Sequence, residues 1–319
     1  MIVDLFAGPG GWSEGLRLLD PDLHALEVGL EWSSPACRTR AAAGHRTVQT
    51  DVAAYPTAPF VGKTFGLIAS PPCQDWSAAN TAGEGIDGLR GELVREVPRW
   101  ASALRPDWVV CEQVPAVLPV WRAYAHDLRA AGYSTWAGIL NAADYGVPQA
   151  RQRAVLLASR VRRVTPPEPT HAESPSDDLF GDRLEPWRTL AAGLGWDAER
   201  LAAASRPPGE IRSAPVGYGL GWDSWGLHRP ATTVTSTPRI GPPGYRGPGE
   251  RQYGTGTVHV SIDELAALQS FRAGYPWQGN QGEQYLQIGN AVPPRLASHV
   301  LAAVTGLPVP AFDRAEALT

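Results

Sequence analysis

Cysteine is scarce in this chain, with three among 319 residues: Cys37, Cys73 and Cys111. An odd, widely spaced set offers neither a disulfide framework nor the spacing of a metal site, so no metal and a reducing compartment are expected. Lysine is scarcer still, since Lys63 is the only one, and the positive charge is carried by arginine, which suits bidentate phosphate contacts. Neither sign of charge dominates: 28 basic residues against 32 acidic ones leave a formal charge of -4. That excludes a blanket positive field but not a local basic groove. No segment approaches the roughly 20 apolar residues needed to span a bilayer. The start, Met-Ile-Val-Asp-Leu-Phe, has no basic region ahead of an apolar run, and a soluble cytoplasmic protein is expected. A Gly-x-x-x-x-Gly-Lys-Ser/Thr phosphate loop is missing, as is any fixed-period repeat. What is present, 43% hydrophobic and 19% charged residues, describes a folded chain long enough for one large domain and a modest second one.

From residue 1 to about 160, short apolar runs alternate with helix-compatible stretches, the pattern of βαβ units. The runs are Ile2 to Phe6, Ala25 to Leu30, Phe65 to Ala69, Trp108 to Cys111 and Ala154 to Ala158, and all read as buried parallel strands. A weaker candidate lies at Arg46 to Thr50. Between 164 and 186 the chain turns to Pro-Pro-Glu-Pro and Ser-Pro-Ser-Asp-Asp, which places a boundary there. From 205 to about 256 it is rich in Gly, Pro, Trp, Tyr and Arg and reads as a small irregular β-type module. Helical character returns at Ser261, where Ser-Ile-Asp-Glu forms a capping-box pattern, and again over Pro293 to Val304. The expected division is residues 1–163 and 261–319 for an α/β domain and 164–260 for the small one.

Several polar positions fall at the ends of the apolar runs. Asp4-Leu5-Phe6-Ala7-Gly8-Pro9-Gly10-Gly11 joins a strand to a helix, and glycines there let a ligand approach the backbone and the helix N-terminus. A tight structural turn is the plainer reading of the same residues. Glu31 closes the second run, where a carboxylate can accept both hydroxyls of a ribose; Trp32 beside it could stack on a purine, and Asp51 could accept from an adenine amino group. A dinucleotide, ATP or S-adenosylmethionine all fit such a site. Ser70-Pro71-Pro72-Cys73-Gln74 sets a cysteine at the carboxyl edge of the sheet on a proline-stiffened turn, as an oriented nucleophile requires, although a lone cysteine is more often inert. Glu112 ends another run at the same edge, where an acid could donate a proton to a ring nitrogen. Alternation in Gln149-Ala150-Arg151-Gln152-Arg153 puts Gln149, Arg151 and Arg153 on one face, so that two guanidinium groups could bind an anion or a carbonyl oxygen; an exposed charged face is the rival reading.

Taken in order, these segments resemble the cytosine-C5 DNA methyltransferases. The resemblance rests on Phe6-Ala7-Gly8-Pro9-Gly10-Gly11, Glu31-Trp32, Asp51-Val52, Pro71-Pro72-Cys73-Gln74, Arg90-Gly91-Glu92-Leu93, Glu112-Gln113-Val114, Gln149 to Arg153, Arg229-Pro230-Ala231 and Gly289-Asn290-Ala291-Val292-Pro293-Pro294. It covers residues 1 to 160 and about 225 to 300. It implies a Rossmann-like methyltransferase sheet with helices on both faces, plus a smaller irregular β-rich target-recognition domain. It also implies S-adenosylmethionine as cofactor, lined by Phe6, Gly8, Gly10, Gly11, Glu31, Trp32, Asp51, Pro72, Leu93, Asn290 and Val292. Cys73 would be the nucleophile toward C6 of a flipped cytosine, Glu112 would protonate or hydrogen-bond N3, Arg153 would hold O2, and Arg151 would support the site. The stretch Asp75 to Leu93 is similar to the mobile catalytic loop that closes over flipped DNA. The chain departs from the usual Glu-Asn-Val in carrying Gln113.

The implied partner is double-stranded DNA, touched by Gln74, Ser77, Arg229, Arg239 and Arg246. Trp225 to Gly249 carries those three arginines with no acid, interleaved with aromatic residues, while Glu173 to Asp182 is acidic and is expected to face away. A monomer is expected, with a cognate restriction endonuclease as a possible companion in a restriction-modification or phage/host role. The alternatives are a tRNA cytosine-C5 methyltransferase and a catalytically silent DNA-binding regulator.

Overall fold

The structure is a computed structural model, and it describes residues 1–72, 91–175, 184–204, 225–237, 239–240 and 258–309. Its centre is a seven-stranded sheet ordered β3-β2-β1-β4-β5-β7-β6. The strands are β1 (Ile2–Leu5), β2 (Glu27–Glu31), β3 (Thr47–Gln49), β4 (Gly66–Ala69), β5 (Trp108–Gln113), β6 (Ser134–Asn141) and β7 (Gln152–Ser159). The first five run parallel, in registers such as Leu5 with Leu30 and with Ala69, and Ala69 with Cys111.

Strand β7 corrects the expectation of an all-parallel set. It pairs antiparallel with both β5 and β6. Only residues 142–151 separate β6 from β7, and a connection that short closes a hairpin rather than a crossover. Strand β6 has no counterpart among the apolar runs, because it lies at the sheet edge with most of its residues half-buried. Gly138 within it leaves room for the Trp136 ring, whose atoms come within 2.4 Å of where a Cβ would stand.

Strand residues alternate between two apolar layers. Val3, Leu5, Leu67, Ala69, Val109, Cys111 and Leu156 pack against Val97, Trp100 and Leu104 of α4 (Glu96–Leu104) and Trp121 and Ala125 of α5 (Leu118–Ala130). Before these come α1 (Gly11–Leu19), α2 (Pro21–Ala25) and α3 (Ser34–Ala42). On the opposite face Ile2, Ile68, Val110, Val155 and Leu157 meet Trp12 and Leu16 of α1 and the C-terminal helix over Pro294–Thr305. Gly15 permits that last contact, since a Cβ there would lie 2.5 Å from the Ala297 methyl.

The remaining elements are α6 (Leu190–Leu194), α7 (Ala198–Ala204), α8 (Trp225–His228), α9 (Ile262–Leu268), α10 (Gln281–Asn290) and α11 (Pro294–Thr305), with two-residue strand pairs β8 (His171–Ala172) with β9 (Glu185–Pro186) and β10 (Arg239–Ile240) with β11 (Val258–His259). Helix α9 starts on the capping box read from the sequence, Ser261 with Glu264, and α10 starts on a second one, Asn280 with Glu283. Leu190, Leu194, Leu201, Ala231, Val234, Ile240, Leu265, Leu268, Phe271, Tyr275 and Ile288 form one apolar cluster that runs across residue 260.

Candidate active site

Strand order reverses at β1, which has β2 on one side and β4 on the other, and open α/β sheets bind ligands at the carboxyl edge of such a switch. The turn after β1 is built for close approach. Phe6 takes a left-handed φ of 60°, unusual for a side chain with a Cβ, and Gly8 and Gly10 have φ of 54° and 111°. The two glycines differ in what lies before them. Among the described residues, nothing stands within 4 Å of where a Gly8 Cβ would be, whereas one at Gly10 would fall 2.7 Å from the His45 ring and 2.8 Å from the Tyr275 hydroxyl. A Gly11 Cβ would lie 2.2 Å from the Val292 carbonyl oxygen. Gly8 thus opens a cradle, while Gly10 and Gly11 admit neighbouring protein. Val292 itself is buried and Asn290 exposed, at the end of α10.

At the end of β2, the buried Glu31 carboxylate accepts the Gly8 N–H at 2.8 Å and the Ser33 N–H at 2.7 Å. Each oxygen keeps a lone pair for a further donor. Trp32 beside it is 70% exposed, an aromatic face unclaimed by the core. Asp51, beyond β3, is exposed and accepts the Ala53 N–H at 2.9 Å. An open glycine cradle, a carboxylate, an exposed indole and a second carboxylate along successive strand ends suit an adenosine-bearing ligand.

Beneath this edge lies a buried charged group that the sequence reading did not single out. Arg40 of α3 donates to Glu27 at 2.7 Å, to Ser13 at 2.9 Å and to the Ala7 carbonyl at 3.4 Å, and lies 4.0 Å from Asp4. Burial, with Glu27 adding to it, pushes the Asp4 carboxyl well above its ordinary range.

Pro71 and Pro72 follow β4, and Trp12 of α1 donates to Ser70 at 2.8 Å. Cys73, Gln74 and Ser77, like Arg246, lie outside the described residues. Next along the edge, Glu112 and Gln113 end β5, both buried. Arg153 Nε stands 2.8 Å from Glu112 Oε1, with both side chains about nine-tenths buried. Arg153 precedes Ala154, the partner of Gln113, so the antiparallel course of β7 is what brings its beginning to the edge where the parallel strands end. The Gln113 amide donates to the Pro71 carbonyl at 2.5 Å and accepts the Val114 N–H at 2.5 Å. The longer amide therefore ties β5 to the residue two before Cys73. Among the cysteines the structure describes, Cys111 is sealed in the core and burial pushes its thiol far up, and Cys37 is pushed up to about 11 by burial, so neither is a nucleophile.

The two guanidinium groups expected to share a target do not. Arg151 is 2% exposed and donates to the carbonyls of Val234 at 3.0 Å, Gly289 at 2.7 Å and Ala291 at 3.2 Å. Gln149 joins the same knot, accepting the Val234 N–H at 2.7 Å and donating to the Leu268 carbonyl at 3.1 Å. Arg151 and Gln149 together thus fasten three distant segments behind the site, around Val234, Leu268 and Gly289 to Ala291. Pro72 and Leu93 are half-buried, Arg229 is exposed after α8, and the backbone of Arg239 lies in β10.

The parallel core, the switch and the glycine turn define a Rossmann-like methyltransferase. Residues 1–186 match the model of the C-5 cytosine-specific DNA methylases, more than half of the chain, and the chain belongs to that family. It is a DNA cytosine-C5 methyltransferase, and the family's methyl donor is S-adenosylmethionine. It is 27% identical to the Type II methyltransferase M1.HphI of Haemophilus parahaemolyticus over 95% of this chain and 86% of that one. It is also 27% identical to the Type II methyltransferase M.NgoFVII of Neisseria gonorrhoeae, over 92% and 83%. In fold it is similar to the Entamoeba histolytica methyltransferase EhMeth, with a TM-score of 0.65 at 13% identity over 96% and 97% of the two chains. Among the described residues, no helix is long and apolar enough to cross a membrane.

Proposed function

We propose that the chain methylates cytosine in double-stranded DNA through a covalent adduct on Cys73, as the modification partner of a restriction endonuclease or in a phage/host role. The observation that carries this reading is the Glu112–Arg153 pair, 2.8 Å apart at the sheet edge, with Gln113 beside it bonded to Pro71, two residues before Cys73 in the sequence. The Cys73 thiolate adds to C6 of an extruded cytosine. Glu112 protonates or hydrogen-bonds N3, so the electron pair moves into the ring and makes C5 nucleophilic. Arg153 holds O2 and, being locked on Glu112, orients that carboxyl. S-adenosylmethionine, when bound, supplies an electrophilic methyl group for C5. Removal of the C5 proton then returns electrons to the ring, and the sulfur leaves.

Glu31, Trp32, Asp51 and the Gly8 cradle are the residues that fit the adenosine part of the donor, with Phe6, Gly10, Gly11, Pro72, Leu93, Asn290 and Val292 around it. Residues 164–260, with Arg229, Arg239 and Arg246, form the target-recognition region in this reading. Gln74 and Ser77 touch DNA from the catalytic loop, and the protein acts as a monomer. Cys73→Ala is expected to abolish transfer of labelled methyl to duplex DNA while leaving cofactor binding intact, measured by filter assay and calorimetry. Unchanged turnover removes the mechanism, and label on tRNA alone removes the substrate assignment. Duplexes carrying 5-fluorocytosine are expected to trap a denaturation-resistant complex.

A further inference from the structure

Behind the glycine turn, on the side away from the Gly8 cradle, six polar side chains from four segments meet. Glu14 and Arg17 come from α1, His24 from α2, His45 from the turn before β3, and Arg272 and Tyr275 from the segment after α9. The Tyr275 hydroxyl donates to the Pro9 carbonyl at 2.6 Å. Its one hydrogen is thereby used, so in the 3.1 Å contact with His45 Nε2 the hydroxyl oxygen accepts and Nε2 carries the hydrogen. His45 Nδ1 is then the acceptor for His24 Nε2 at 2.8 Å, and it also faces Arg17 at 3.5 Å. Glu14 stands 3.2 Å from His45 Nε2, 3.5 Å from Arg17 and 3.3 Å from Arg272. A directed chain of donors runs from His24 through His45 and Tyr275 to the carbonyl of the turn.

The same two rings explain Gly10, since a Cβ there would strike both. The turn is thus gripped twice: Glu31 takes the Gly8 N–H from the front, and Tyr275 takes the Pro9 carbonyl from the rear. Tyr275 is itself fixed against Phe271 and Trp277, with ring centroids 4.8 Å away in each case. Those rings belong to the apolar cluster that also holds Leu190, Val234 and Leu268.

We infer that Tyr275 is a positioning residue for the cofactor, holding the Pro9–Gly10 backbone in the shape that receives S-adenosylmethionine, with His45 orienting its hydroxyl. This rests on the reading that the Gly8 cradle and Glu31 hold the adenosine. Tyr275→Phe deletes the hydroxyl and keeps the ring packing, so the fold is preserved. Calorimetric titration of the full chain with S-adenosylmethionine is expected to show binding weakened about fivefold to tenfold, as loss of one well-placed hydrogen bond produces. The KM for S-adenosylmethionine rises by the same factor, while kcat at saturating cofactor and the KM for DNA stay within about twofold.

Glu31→Ala serves as the parallel measurement. If it weakens binding tenfold or more while Tyr275→Phe leaves affinity unchanged, the role given to Tyr275 is overturned and the cofactor site stands. If neither variant changes affinity, the cofactor site itself is misplaced and the inference falls with it. A fall in kcat together with a lower melting temperature in Tyr275→Phe makes the hydroxyl merely structural and also overturns the inference.

Discussion

The two ends of the site are held by different means. At the cofactor end the shape is mostly backbone: left-handed residues at Phe6, Gly8 and Gly10, with Glu31 spending its carboxylate on main-chain N–H groups. At the base end the shape is mostly side chain: Glu112 locked on Arg153, Gln113 on Pro71, and Arg151 on three carbonyls. A ligand bound alike in ground and transition states needs only a fixed surface, whereas a developing charge needs an aimed donor. Single side-chain exchanges should therefore cost most at the base end.

The largest expected effect is at Glu112. Glu112→Gln keeps the shape and removes the carboxyl, and turnover is expected to fall about 100-fold to 10,000-fold, the usual worth of a positioned acid. Affinity for S-adenosylmethionine is expected to stay within about twofold, read from the same preparation by titration. A variant that lost both together would erase the division between the two ends.

Arg151 tests whether the base end is held by its neighbours. Arg151→Met removes the donor to the carbonyls of Val234 and Gly289, while the Ala291 carbonyl keeps the Gln269 amide at 3.4 Å. A loss of about 2 kcal/mol or more is expected in urea unfolding, since each of the two abandoned buried acceptors costs about 1 kcal/mol or more. A stable protein with reduced turnover would instead place Arg151 in direct contact with substrate.

The cofactor end can be tested within itself, because its glycines are there for two reasons. Gly11→Ala drives a methyl into the Val292 carbonyl and is expected to destabilise by about 1–3 kcal/mol, as overpacking does. Gly8→Ala meets no atom of the other described residues within 4 Å and is expected to cost only the left-handed backbone penalty, about 1 kcal/mol, while obstructing the cradle and weakening S-adenosylmethionine binding. Thermal melts with and without cofactor separate the two. Equal melting temperatures for the pair would contradict the packing at Gly11.

This division also explains what could be read from the sequence. The apolar runs that became β1, β2, β4 and β5 announce themselves because central parallel strands are apolar on both faces, and Glu31 and Glu112 stand out as acids that end them. Strand β6 stayed hidden because an edge strand with half-buried residues lacks that mark, and without it the direction of β7 could not be known. Tyr275 and Arg151 act on carbonyls 266 and 138 residues away, contacts that no local pattern encodes. Arg40 had one faint sign, an arginine inside a helix otherwise rich in small residues, but only its burial between Glu27 and Asp4 gives it meaning.

The smallest effect separates shape from chemistry at the base end. Gln113 stands where the family usually has asparagine, and its extra methylene lets one amide reach both the Pro71 carbonyl and the Val114 N–H. Gln113→Asn shortens that reach without adding charge or bulk. One hydrogen bond is worth about 1 kcal/mol, so a fivefold change at most is expected, and it should fall on kcat because Pro71 stands two residues before Cys73 in the sequence. The KM for S-adenosylmethionine, which the proposed cofactor site assigns to Gly8 and Glu31, should not move. Single-turnover methylation of duplex DNA reads the difference directly: a slower chemical step with unaltered cofactor affinity confirms that β5 braces the Pro71-Pro72 segment before Cys73, and an unchanged step assigns that bracing to the prolines alone.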